Sequence, residues 1–164
     1  MVHLMPRIRS QATVAASYEE VRPLYERADG LDSLTPSVVT LFFEPIAGEL
    51  DHIERGTRFN VEVSVPIIGT IGRGDVEIVE HTFDDSGGYI EDVVTNGPVD
   101  VWHHRRTLQP YNTGTMIIDD LQYRGLPGGL VGELLAPIVL RIGFEYRRRQ
   151  LYRLFGRMRD DPGN

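Results

Sequence analysis

Two neighbouring stretches decide the fold of this chain: VDVWHHRRTLQP at Val99–Pro110 and GTMIIDDLQYRG at Gly114–Gly125. Both alternate apolar and polar residues, as strands with one buried face do, and PYNTG between them has the composition of a tight turn. If Asn112 and Thr113 are the central residues of that turn, Tyr111 pairs with the first residue of the second stretch. The two stretches then form an antiparallel hairpin whose register assigns every side chain to a face.

One face of this predicted hairpin carries more apolar side chains than the other, and we expect it to point inward. Its residues are Trp102, His104, Arg106, Leu108, Ile117, Asp119, Leu121 and Tyr123. Arg106 lies opposite Asp119, which predicts a buried cross-strand ion pair with His104 beside it. Because burying charges is costly, a polar group in an apolar interior suits a ligand pocket. The other interpretation is that the two charges only satisfy each other.

The rest of the chain predicts an α+β arrangement. One strand and two short helices come first, and the first helix opens on a capping box of Ser17 and Glu20. Four more strands lead to the hairpin, and Leu130–Gly156 then predicts a long helix. We expect one domain over residues 1–164, with its core in 7–156 and a frayed tail at 157–164. A curved antiparallel sheet of about seven strands would wrap around the terminal helix.

The composition excludes several classes of function. The chain has no cysteine, which rules out thiol catalysis, disulfides and thiolate metal sites. All 17 basic residues are arginine, so Schiff-base chemistry and the P-loop lysine are ruled out as well. The net charge of −7 argues against nucleic-acid binding, and the lack of a long apolar run predicts a cytoplasmic protein. Adjacent histidines such as His103 and His104 point to opposite faces of a strand, and we predict neither a metal site nor a cofactor.

Other elements supply candidate walls and a mouth for a cavity. The strand GTRFNVEVSVP alternates, so Phe59, Val61 and Val63 share one face. Alternate loops of a meander fall at one end of the sheet, where apolar residues could close over a ligand or simply belong to turns. These candidate lips are Ile67, Ile68 and Leu126. A stripe at three- and four-residue spacing on the long helix is either plain core or the opposite wall: Leu134, Leu135, Ile138, Val139 and Ile142.

The long helix also carries a cluster of arginines towards its C-terminal end: Arg147, Arg148, Arg149, Arg153 and Arg157. Positive charge there complements the helix dipole, and a solvated face would account for it. The alternative is a basic patch that makes transient contact with an anionic membrane.

Several stretches resemble small SRPBCC proteins, the START-like or polyketide cyclase/dehydrase superfamily: GPVDVWHHRRTLQP, GTMIIDDLQYRGLPGGLVGELLAP and FEYRRRQLYRLFG. The segment SYEEVRPLYERADGLDSLTP lies where those proteins have two short helices. The resemblance runs from about Gln11 to Gly156 and is one of pattern rather than of a signature motif. It implies the helix-grip fold, in which a curved sheet grips the C-terminal helix, and a hydrophobic ligand in the cavity between them.

Three functions remain open, since the fold predicts a ligand pocket but does not determine which reaction, if any, takes place there. The first is binding or carriage of a small hydrophobic ligand, such as a lipid, a quinone or a polyketide. The second is a cyclase or dehydratase in which His104 is the base and Arg106 stabilises an oxyanion, with Asp119 and Tyr123 as orienting groups. The third is a protein-interaction module that uses the arginine-bearing helix or the acidic surface. The oligomeric state does not follow from the sequence.

Overall fold

The computed structural model describes residues 5–125 and 129–159, apart from the side chain of Leu31. Its strands are β1 (Arg7–Val14), β2 (Thr40–Ala47), β3 (Arg58–Val65), β4 (Gly69–Asp84), β5 (Gly87–Asn96), β6 (Val101–Tyr111) and β7 (Gly114–Arg124). They form one antiparallel sheet in the spatial order β1-β7-β6-β5-β4-β3-β2. The helix α1 (Tyr18–Tyr25) and a 3-10 helix (Ala28–Leu34) connect β1 to β2, and α2 (Gly129–Phe155) follows β7. The predicted α+β order of elements is confirmed.

The register of the β6–β7 hairpin is also confirmed. Tyr111 pairs with Gly114 at the turn, and the pairing continues without a bulge to Trp102 and Tyr123. Asn112 has a φ of 51° in the turn, a conformation that asparagine adopts more readily than most residues. The predicted inward face is buried throughout, except that Trp102 is half-buried.

The first helix begins at the predicted capping box. The backbone N–H and the hydroxyl of Ser17 both donate to the Glu20 carboxylate, at 2.8 and 3.0 Å. Along α1, Tyr18, Val21 and Tyr25 face inward and pack in one cluster with residues of β1, β6, β7 and the C-terminal part of α2. This packing brings α1 beneath the sheet and places the buried Tyr25 ring near α2.

The long helix contacts the sheet through a different stripe from the one the sequence predicts. Ala136, Leu140 and Phe144 pack against β1 and β7, and Leu151 joins the α1 cluster. The predicted stripe faces outward instead, with every member more than half exposed: Leu134, Leu135, Ile138, Val139 and Ile142. The prediction was wrong because the N-terminal half of α2 is apolar on most of its sides, so periodicity alone does not select the buried face.

Candidate functional site

A cavity of about 330 Å³ lies between the inner face of the sheet and the C-terminal half of α2. Volumes of this size fall at the lower end of the range seen for small-molecule pockets. Most of its wall is apolar and comes from β2, β3, β4 and the segment before β3: Leu41, Phe43, Ile53, Phe59, Val61, Val63, Val76 and Ile78. From α2, Phe144 and Arg147 close the opposite side.

One end of the cavity lies near the β3–β4 hairpin, which carries two of the predicted lips, and near the β5–β6 connection. Gly72 at the start of β4 and Pro98 and Val99 in the β5–β6 connection line it there. Ile67 and Ile68, however, are exposed at the tip of the β3–β4 hairpin and are not among the lining residues. Leu126, the third candidate lip, lies outside the described residues.

The other end of the cavity is polar, with Asp92, His104, Arg106 and Arg147 in its lining. The Arg106 guanidinium donates through Nη2 to Oδ1 of Asp92, and both side chains are almost fully buried. The predicted ion pair between Arg106 and Asp119 is therefore wrong, although the two residues do face each other across β6 and β7. The long arginine side chain reaches diagonally to β5 instead, because Asp119 is already engaged by His104 and Arg147.

Asp119 holds His104 and Arg147 in place from behind the cavity. Its Oδ1 lies 3.0 Å from Nε2 of His104, and its Oδ2 lies 3.6 Å from Nε of Arg147. Burial acts to raise the pKa of Asp119, but the Arg147 cation and the hydrogen bond with His104 outweigh it and lower the pKa to about 2. The carboxylate is therefore ionised at neutral pH.

His104 is held as a neutral imidazole. Burial and then the Arg106 charge lower the pKa of His104, against the opposing effect of Asp119. The ring also packs edge-on against Phe144, with centroids 5.6 Å apart and an interplanar angle of 89°. Since the ionised carboxylate accepts from Nε2, the proton is assigned to Nε2 and the lone pair to Nδ1. Such a histidine can act as a base on a bound molecule.

The structure brings only part of the predicted site together. Six predicted contacts line the cavity: Phe59, Val61, Val63, Trp102, His104 and Arg106. Leu108 and Ile117 lie in the core around α1, and Leu121 and Tyr123 lie in the core beneath Ala136 of α2. These four residues, Asp119 and the exposed α2 stripe are not among the lining residues. Tyr123, proposed as an orienting group, is consequently not placed at the cavity.

Two residues that line the polar end of the cavity were not predicted from the sequence. Asp92 follows Glu91 in β5, and only its place opposite His104 in the sheet shows that it faces inward. The sequence places Arg147 in the arginine cluster of α2, interpreted as a solvated face or a basic patch, yet its side chain is only 14% exposed. The sequence does contain a signal for this burial. Arg147 lies three residues after Phe144 and four before Leu151, and this spacing places it on the face of α2 that packs inward.

The neighbouring His103 lies on the outer face of β6, where its Nε2 is 3.0 Å from the Glu91 carboxylate. Across residues 5–125 and 129–159, no three histidine or acidic side chains are arranged to hold a metal ion. In the same ranges, no helix combines the length and the apolar character needed to cross a membrane.

Comparison with known proteins identifies the fold but not a family. No family model matches the sequence, and no curated protein matches it. The crystal structure of CV1439 from Chromobacterium violaceum is 17% identical, with a TM-score of 0.70 over 93% of this chain and 99% of that one. Truncated norcoclaurine synthase from Thalictrum flavum is 13% identical, with a TM-score of 0.63 over 92% and 93%. Ginseng major latex-like protein 151 from Panax ginseng is 13% identical, with a TM-score of 0.66 over 93% and 98%.

Identities this low show the fold alone. The fold is the helix-grip arrangement that the SRPBCC resemblance implies, a seven-stranded antiparallel sheet against a long C-terminal helix. The same topology occurs in an enzyme and in a plant latex-like protein, so the neighbours do not select a function by themselves.

Proposed function

We propose that this protein binds and carries a small hydrophobic ligand in the cavity between the sheet and α2. The observation that carries the proposal is the cavity of about 330 Å³, apolar along β2, β3 and β4 and polar at one end. Protein interiors are close-packed, and the walls of an open space lose the contacts they would otherwise make. An apolar ligand restores those contacts and leaves water as it binds.

The position of Trp102 provides a direct test. It is the only tryptophan of the chain, and it lines the cavity. We expect the neutral apolar probe N-phenyl-1-naphthylamine to become fluorescent on binding and to quench Trp102 emission by energy transfer with a one-to-one end point. Native mass spectrometry of the purified protein should also detect a co-purified apolar molecule. Failure of the probe to bind protein freed of such a molecule would overturn the proposal.

A substitution that fills the cavity distinguishes binding of the probe inside the cavity from binding elsewhere on the protein. A β-carbon added to Gly72, which lines the cavity, would meet no atom within 4 Å. Gly72→Leu should therefore weaken probe binding at least tenfold without displacing the wall. Gly143→Leu is the matched control, because Gly143 on α2 is equally uncrowded and is not a lining residue. Equal loss in both variants would show that the probe binds outside the cavity.

Carriage requires that the protein reach the source of its ligand, and α2 offers a surface for this. Leu134, Ile138 and Ile142 are exposed on the same helix as Arg141 and Arg149. Apolar side chains with arginines beside them are typical of helices that lie on anionic membranes. This supports transient membrane contact, with α2 as the contacting element.

Vesicle co-sedimentation tests this contact. Binding should be stronger to phosphatidylcholine vesicles containing phosphatidylglycerol than to phosphatidylcholine alone, and should weaken with added salt. Ile138→Asp should reduce it, whereas Val38→Asp, at an equally exposed apolar position before β2, should not. Identical behaviour of the two variants would exclude α2 as the contacting surface.

The His104–Asp119 pair favours an enzyme of the cyclase or dehydratase kind as a second candidate. A neutral histidine that is oriented by an ionised carboxylate can remove a proton next to a carbonyl. An arginine nearby can then stabilise the enolate oxygen. The protonated histidine then returns this proton to the leaving β-hydroxyl of a β-hydroxyketone, and the loss of water gives a conjugated enone, which is followed by its absorbance. His104→Ala should abolish this turnover while probe binding persists. Turnover that survives the substitution would rule out His104 as the base.

A further inference from the structure

Two arginines that line the polar end of the cavity have guanidinium nitrogens that make no hydrogen bond to the described part of the chain. Nε of Arg106 and both Nε and Nη2 of Arg147 are buried, and within the described residues none of them has a hydrogen-bond partner. Two protein groups approach Arg147: Oδ2 of Asp119 lies 3.6 Å from its Nε, and the Tyr25 hydroxyl lies beside its guanidinium. Buried donors are nearly always paired in folded proteins. All three guanidinium nitrogens are hydrogen-bond donors. A ligand group that fits this end of the cavity is therefore a hydrogen-bond acceptor.

The charges around these donors already balance. Arg106 is paired with Asp92, and Arg147 lies against Asp119, while His104 between them is neutral. A bound carboxylate or phosphate would leave this buried group of residues with a net negative charge, which a low-dielectric interior disfavours. An uncharged oxygen can accept from the same donors without that penalty. A hydrogen bond from a cationic donor to such an oxygen is stronger than one between neutral groups.

We infer that the ligand of this cavity is an uncharged apolar molecule with a carbonyl oxygen at one end, which accepts hydrogen bonds from Arg147 and Arg106. The inference rests on the proposed binding function and adds the chemical class of the ligand. The apolar body lies along β3 and β4, and the carbonyl points towards α2. A hydrocarbon without the oxygen fills the same space but leaves the donors unpaired.

Three ligands of nearly equal size test the inference on the unmodified protein. Displacement of N-phenyl-1-naphthylamine gives the affinities of 2-acetylnaphthalene, 2-ethylnaphthalene and 2-naphthoate at pH 7.5. The ketone should bind about tenfold or more tightly than the hydrocarbon, since hydrogen bonds to charged groups contribute on that scale. It should also bind more tightly than the carboxylate. Equal binding of ketone and hydrocarbon would overturn the inference, and so would tighter binding of the carboxylate. If none of the three displaces the bound probe, the inference fails while the binding function stands, because the binding function fails only if the probe itself does not bind.

A conservative variant assigns the effect to Arg147. Arg147→Lys keeps the positive charge beside Asp119 but loses the planar set of donors. The advantage of the ketone over the hydrocarbon should fall to about twofold or less, while hydrocarbon binding stays unchanged. Arg149→Lys is the matched control on the exposed side of the same helix, where Arg149 pairs with Glu145. A ketone advantage that persists in Arg147→Lys would overturn the assignment.

Discussion

Removing the charge of Asp92 should destabilise the protein far more than removing the charge of an exposed aspartate. The Arg106–Asp92 side chains are 6% and 5% exposed, whereas those of the Arg27–Asp29 pair are 52% and 63% exposed. Asp92→Asn leaves a buried arginine without its counter-charge, which costs about 3–5 kcal/mol. Asp29→Asn should cost about 0–1 kcal/mol. For a domain of this size, the first loss corresponds to a fall in Tm of about 10 °C.

Urea denaturation monitored by circular dichroism measures both variants against the unmodified protein. The double variant Asp92→Leu/Arg106→Met should recover most of the lost stability, because an apolar pair of similar size needs no compensation for buried charge. Two outcomes would refute the reasoning. One is a cost for Asp92→Asn no larger than that for Asp29→Asn. The other is a double variant that is less stable than the single one, which would mean that the two side chains do not act as a pair.

Two further predictions concern acid stability and the orientation of α2. Because the folded-state pKa of Asp119 is about 2, below the ordinary 3.8, the paired carboxylate stabilises the fold above pH 4 and loses about 2 kcal/mol of that stability towards pH 2. The lowered pKa of His104 acts in the same direction at higher pH, since the unfolded chain takes up the proton first as the pH falls through 6.5. Urea midpoints should therefore decrease on acidification in both ranges, and His104→Gln should reduce the upper step, leaving the contribution of His81, whose pKa burial also lowers. Leu121→Ala in the core should cost about 2–5 kcal/mol in the same assay, whereas Ile138→Ala on the exposed face of α2 should cost under about 0.5 kcal/mol.

The features that follow from the sequence alone are those set by short-range rules. The capping box depends on two residues three positions apart, and the β6–β7 register depends on a two-residue turn. Once that register is known, the alternation of side chains places His104, Arg106 and Asp119 on one buried face. The order of the elements also follows, because the strand and helix periods differ clearly along the chain.

The features that only the tertiary structure decides are those that join distant elements. The partner of Arg106 depends on how β5 lies beside β6. The sequence of the connection between these strands does not fix their pairing register. The inward face of α2 depends on how the helix lies against β1 and β7, because leucine, isoleucine and valine occur on most sides of its N-terminal half. That orientation buries Arg147 beside Asp119 and gives the cavity its polar end. A local pattern fixes what each residue can contact within its own element, whereas the pairing of buried charges depends on long-range packing that the pattern does not encode.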